Sequence, residues 1–196
     1  MTCLIDLDGT ILNFWDRYYS IFDNFLYNIL SKPEYILMRR EGISEEMILN
    51  LMGIMDTEKY LEWRMERIES EHYLSFDILF NIEKLKQFDR RILITYRKNR
   101  KNLENQLKKL KIHDFFDEII TPENITHPAV PVNIFKFEMI RKYRENHSIV
   151  IGDTETDIIS AKRNKIFSIG VLSGMTNRVC MQNINPDKII NNINEL

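Results

Sequence analysis

Asp6 and Asp8 stand one leucine apart at the end of an apolar run, Thr2-Cys3-Leu4-Ile5, and Gly9 follows them. If the run is a strand, side-chain alternation sends both carboxylates off the same side of its carboxyl end. Gly9 supplies a turn where a Cβ would restrict the backbone. Two carboxylates about 4 Å apart repel by about 4 kcal/mol at an effective dielectric of about 20. A bound cation or a shared proton offsets that repulsion. An acidic turn with no further role is the plain alternative for any single Asp-Xaa-Asp-Gly, so the remaining residues have to decide. Ile92-Leu93-Ile94 ends in Thr95, with Tyr96 and Arg97 at a helix start. Ser148-Ile149-Val150-Ile151 ends in Gly152-Asp153, and Asp157 lies one helical turn further on. In parallel sheets ligands bind beyond the carboxyl ends of the strands, so four carboxylates, a threonine and a helix amino terminus converge on one crevice. Hard oxygen ligands in that number suit Mg2+, and helix N–H groups suit a phosphate. This is chemistry for phosphoryl transfer.

The elements that must position these residues follow from the apolar pattern. Near-continuous apolar strands are expected at Thr2–Ile5, Arg91–Thr95, Glu118–Ile120, Ser148–Asp153 and Phe167–Leu172. The helices predicted between them cover Phe76–Gln87, Asn99–Lys111, Asn133–Glu145 and Ile158–Asn164, with the prolines of Thr121–Val132 marking a loop. Such alternation argues a parallel sheet covered on both faces. The tail from Pro186 holds one more apolar stretch and is assigned at most a last helix.

From Asn13 to about Tyr73 the pattern is helical throughout, with breaks at Pro33 and Gly42, a cap at Ser44 and a fourth helix over Thr57–Glu71. Four helices without a strand, placed directly after the first strand, read as an insertion. Phe14, Tyr18, Ile21, Phe22, Phe25 and Leu26 form a stripe at helical spacing, either core packing or a ligand box. Arg39-Arg40 beside Gly42 is either a solvated helix end suited to the macrodipole or part of a loop that helps choose the substrate.

The 196 residues carry a formal net charge of −2, with 44% hydrophobic and 29% charged residues. Nothing in that balance suggests a nucleic-acid or anionic-membrane surface. Cys3 and Cys180 form no disulfide framework, and no run approaches the ~20 apolar residues of a membrane span. A first strand starting at Thr2 leaves no room for a signal peptide, so a cytoplasmic location is the expectation.

Asp6-Leu7-Asp8-Gly9-Thr10, Ile92-Leu93-Ile94-Thr95, a lysine before the fourth strand, and Gly152-Asp153-Thr154-Glu155-Thr156-Asp157 occur in the order of four family motifs. The set resembles the haloacid dehalogenase superfamily over nearly the whole chain. The helical stretch is similar to the cap of its phosphoglycolate phosphatase-like branch. The resemblance implies an α/β fold, a three-layer Rossmann-like parallel sheet core (residues 1–13 and 76–196) with an inserted all-helical cap (residues 14–75). It implies that Asp6 is the nucleophile, forming an aspartyl-phosphate, and that Asp8 protonates the leaving alcohol and then activates water. Mg2+ would be held by Asp6, the backbone carbonyl of Asp8, and Asp153, with Asp157 close by. Thr95, the N–H groups of Tyr96 and Arg97, and a lysine would bind the phosphate. That lysine is Lys136, or else His127 of His127-Pro128 fills its place; Lys136 is preferred because histidine is mostly neutral at pH 7. The acid at position 8 favours a phosphate ester, since the family's dehalogenases and phosphonatases lack it.

Two departures from the family pattern stand out. Tyr96-Arg97 is bulkier than usual and adds a cation near the phosphate, and Asn13-Phe14-Trp15 replaces the Asp-Ser often found where the cap begins. The resulting expectation is a Mg2+-dependent phosphatase acting on a small phosphorylated metabolite, with a cap that closes over the site, as monomer or homodimer. The rivals are a phosphosugar mutase using the same nucleophile and a catalytically silent binding protein of this fold.

Overall fold

In the computed structural model, which describes residues 1–27, 29–124 and 130–196, the first strand is the centre of a parallel sheet. After β1 (Thr2–Ile5) come β2 (Leu12–Asn13) and five helices: α1 (Trp15–Leu26), α2 (Lys32–Arg40), α3 (Glu45–Leu51), α4 (Thr57–Arg67) and α5 (Glu71–Leu74). The chain returns through β3 (Ile78–Leu79), β4 (Arg90–Ile94), α6 (Arg100–Lys109), β5 (Glu118–Ile120), α7 (Val132–Tyr143) and β6 (Ser148–Gly152). It ends with α8 (Glu155–Arg163), β7 (Phe167–Val171), α9 (Arg178–Ile184) and β8 (Lys188–Ile190). The strand order is β5-β4-β1-β6-β7-β8, every pair parallel. Chain order therefore reverses beside β1, and in such sheets ligands bind beyond the carboxyl ends of the strands at that point.

Alternation along the strands builds two cores. Cys3, Ile5 and Leu93 face α6, whose Leu103 and Leu107 are fully buried against them. Leu4, Ile92, Ile94 and Val150 face the other way, onto Phe135 and Ile140 of α7 and Ala161 of α8. Register then brings the strand ends level. Ile5 pairs with Leu93 on one side and Ile151 on the other, so Asp6, Thr95 and Asp153 emerge at one rim.

The chain divides into two units, Met1–Asn13 with Ile78–Leu196, and Phe14–Asp77. The second unit packs its aromatic stripe: Phe22 is fully buried, with ring centroids 4.9 Å from Tyr35 and 5.7 Å from Tyr60. Arg17 of α1 makes a buried ion pair with Asp77 (3.1 Å) and donates to the Ile68 carbonyl, tying the start of the unit to its last residue. Both partners are excluded from water, so Arg17→Met leaves an uncompensated charge and is expected to cost roughly 3–5 kcal/mol. Urea unfolding measures this, and the double variant Arg17→Met/Asp77→Leu is expected to recover most of the loss. A single variant as stable as the native protein would refute the account.

Three expectations need correction. Phe76–Gln87 is not a helix: Ile78 and Leu79 pair antiparallel with Asn13 and Leu12, and Phe80 N–H donates to Ile11. The Asn81 side chain accepts from Glu83 N–H and opens a short 3-10 turn over Glu83–Gln87. The helix expected over Thr57–Glu71 breaks into α4 and α5. The tail contributes a sixth strand, β8, rather than a helix, and α9, absent from the expectations, precedes it. β8 is fixed by its pairing with β7, which no local pattern announces, whereas α9 carries a readable cap at Asn177, whose side chain accepts from Cys180 N–H.

Candidate active site

Beyond Ile5 the chain turns sharply. Asp6 N–H donates to Ile151, and the Leu7 carbonyl accepts from Ile11 and Leu12 N–H, both at 2.9 Å. Gly9 takes a φ of +85°, and a Cβ there would lie 2.5 Å from Asp153 Oδ2. Backbone conformation and close approach both require glycine.

Asp6, Asp153 and Asp157 each offer a carboxylate oxygen, all within 4.8 Å of one another, and all three are well shielded from water. Lys136 joins them from α7. Its ammonium bonds Asp6, reaches Asp157 Oδ1 at 2.9 Å and donates to the Ile94 carbonyl at 2.7 Å. Asp157 is held from its other oxygen by the Thr154 hydroxyl (2.6 Å) and N–H (3.3 Å) at the start of α8. That helix begins at Glu155, earlier than its apolar residues suggest, so Asp157 lies in its first turn. Gly152 leaves room for it, since a Cβ at 152 would run into the Asp157 side chain.

Asp153 is clamped by the loop after β7. Met175 N–H donates to its Oδ2 at 2.7 Å, Gly174 packs its backbone where a side chain would strike the carboxylate, and Ser173 bonds the Gly9 carbonyl at 2.6 Å. Asp153 Oδ1 is buried with no hydrogen-bond partner. A buried carboxylate oxygen left in that state is costly, and a divalent cation would satisfy it. Three carboxylates against one ammonium also leave two negative charges when all are ionised. Hard oxygen donors and that charge fit Mg2+.

Electrostatics carry the same message. Burial above all, with Asp157 and Asp8 adding to it and Lys136 working against it, raises the Asp6 carboxyl to about 7. Burial first, then Asp6 and Asp157, raise Asp153 well above the usual carboxylate range. Burial opposes the Lys136 charge, yet Asp157 and Asp6 outweigh it and the ammonium is held more firmly than in water.

The remaining candidates take distinct places. Thr95, 2% exposed, spends its N–H on Ile120 at the end of β4. Tyr96 turns its hydroxyl to the Val130 carbonyl (2.6 Å) and its ring toward Phe135. The Arg97 guanidinium grips Asp8, Nε to Oδ2 at 2.8 Å and Nη2 to Oδ1 at 2.6 Å, and donates through Nη1 to Gln106 at 2.7 Å. His127 lies outside the described residues. Sequence reasoning did not single out Gln106, Gly174 or Met175. Gln106 was detectable as an amide among the leucines on the inner face of α6, and Gly174 as a glycine directly beyond a strand.

The fold and this rim define a Rossmann-like α/β protein with an acidic centre at its topological switch point and a helical insertion after the first strand. Residues 3–171 match the family described as haloacid dehalogenase-like hydrolase, and the chain belongs to that family of enzymes. Curated relatives include the pyrophosphatase PpaX of Bacillus mycoides, 22% identical over all of this chain and 94% of that protein. PpaX of Oceanobacillus iheyensis is 24% identical with the same coverage. Among solved structures, a predicted phosphoglycolate phosphatase from Haemophilus somnus superposes with a TM-score of 0.71 at 18% identity, covering 97% of this chain and 93% of that one. A β-phosphoglucomutase from Clostridium difficile gives 0.63 at 20% identity, covering 100% and 92%.

Proposed function

We propose that this hydrolase is a Mg2+-dependent phosphatase that cleaves a small phosphorylated metabolite through an aspartyl-phosphate on Asp6. One observation carries the reading: the Asp6 carboxylate ends the central strand in contact with the Lys136 ammonium, with Asp153 and Asp157 in reach. A nucleophile in that place attacks phosphorus with its charge balanced, and Asp8, two residues on, protonates the departing oxygen and then takes a proton from the attacking water. The Thr95 hydroxyl and the N–H groups of Tyr96 and Arg97 bind phosphate oxygens from the end of β4, and Lys136 offsets their charge. Asp6, Asp153, Asp157 and the Asp8 carbonyl would hold Mg2+, which would supply positive charge between an anionic nucleophile and an anionic phosphate. The helical unit Phe14–Asp77 is the cap in this reading and selects the substrate.

The test is phosphate release from a panel of phosphorylated metabolites, with Mg2+ and with EDTA. Inorganic pyrophosphate belongs in it, because the curated relatives are named for it. Mg2+-dependent release supports the reading, and the best compound identifies the substrate. Net isomerisation without release would make the protein a mutase, and Mg2+ binding without turnover would make it a silent binding protein.

A further inference from the structure

We propose that Arg97 is a positioning residue for Asp8: its guanidinium fixes the plane and direction of the Asp8 carboxylate, and Gln106 in turn fixes the guanidinium. The inference rests on the phosphatase reading above, in which Asp8 acts on the leaving group. Its basis is the geometry at the end of β4. Arg97 is 4% exposed and meets both Asp8 oxygens in a two-point fork, while its third nitrogen is spent on Gln106 Oε1. Gln106 is itself buried on the inner face of α6. The segment carrying Arg97 is pinned at both ends. Tyr96 bonds the Val130 carbonyl on one side, and the Asn99 side chain caps α6 through Asn102 N–H on the other.

A two-point guanidinium–carboxylate contact has a preferred plane, which a lysine ammonium, a single point charge, does not impose. Asp8 precedes the Gly9 turn and keeps 22% of its side chain exposed, so a fork that meets both of its oxygens constrains the direction of the carboxylate. Arg97 supplies that constraint, and the expected chemical consequence is confined to the bond that Asp8 serves. Attack by Asp6 on phosphorus does not depend on the plane of Asp8. Departure of an alkoxide does, because an alkoxide leaves only as a proton reaches it: Asp8 takes that proton from solvent on one oxygen, giving up one arm of the fork, and keeps the other arm while it donates. Departure of p-nitrophenolate needs no proton and is far less sensitive.

The experiment compares kcat/KM for glycerol phosphate and for p-nitrophenyl phosphate in the intact, Mg2+-loaded protein and in Arg97→Met, Arg97→Lys, Gln106→Leu and Asp8→Asn. For Arg97→Met the alkyl-to-aryl ratio is expected to fall about 100-fold, within the range that a well-placed general acid contributes. Arg97→Lys, which keeps the charge and loses the fork, is expected to restore little of it. Gln106→Leu is expected to give a smaller fall of the same kind. A structural defect alone would lower both substrates in step. Equal losses for Arg97→Met, or a native ratio in Arg97→Lys, overturn the inference while Asp8→Asn still shows a selective loss. If Asp8→Asn leaves the ratio unchanged, the assignment of Asp8 fails and the inference with it. Should Arg97→Met not fold, Arg97→Lys and Gln106→Leu decide the question alone.

Discussion

Asp6→Asn is expected to abolish phosphate release, by about 10⁴-fold or more, and at the same time to stabilise the metal-free protein. The two effects share one cause. The Asp6 carboxylate is needed for attack, but burial makes its charge costly and raises the group from 3.8 to about 7. The native state therefore binds this proton more tightly than the unfolded chain does. The stability that Asp6 contributes is complete below the unfolded value and falls as pH rises through the native one. Asparagine has no such dependence. The gain from Asp6→Asn in EDTA should be small at about pH 4, grow toward about pH 7 and level off above it. Each unit of displacement corresponds to about 1.4 kcal/mol. Lys136 keeps a partner in the variant, because Asp157 Oδ1 remains 2.9 Å away. Saturating Mg2+ should shrink the difference, since it relieves the same repulsion. Urea unfolding at several pH values, beside a phosphate assay, measures both sides. A variant that still turns over, or that loses stability at high pH, would sink the argument.

Lys136→Met is expected to lose activity as well, by about 10²-fold or more, but with the opposite sign on stability. Lys136 is 4% exposed, and its ammonium bonds Asp6, Asp157 and the Ile94 carbonyl. Methionine fills much of its volume and offers nothing to those oxygens. Removing one member of a buried charge cluster typically costs 3–5 kcal/mol, roughly the loss expected in EDTA. Without the lysine the three acidic groups bear their charge alone, so Mg2+ should bind more tightly and restore part of the stability, though not the turnover. Calorimetric titration with Mg2+ and unfolding with and without it provide the check. Equal stability of Lys136→Met and the native protein in EDTA would show that the cluster is not organised by this lysine.

The site was only partly legible before the fold. Asp6, Asp8, Asp153 and Asp157 stand in short local spacings beside apolar runs, and strand alternation or one helical turn suffices to place them. Lys136 was preferred to His127 only on charge, because the choice depends on where α7 crosses the sheet, a tertiary fact. The bond between Arg97 and Asp8 joins residues 89 positions apart and has no local signature. Strands of four or five residues such as β1, β4 and β6 were readable from their apolar runs. β3 and β8, of two and three residues, owe their conformation to the strands they pair with. The apolar residues of 76–87 mimic a helical period while serving a ribbon and a 3-10 turn.

The pairing of Asn13 with Ile78 has a consequence for ancestry. The residues where the chain departs for the helical unit and returns from it are hydrogen-bonded neighbours, so from the standpoint of the sheet the whole excursion is a hairpin loop. Exchanging or shortening that loop changes neither strand order nor register, and the closure entropy of a longer loop grows only slowly with its length. A lineage built this way is free to diversify what lies between those two residues while the rim of acids stays as it is.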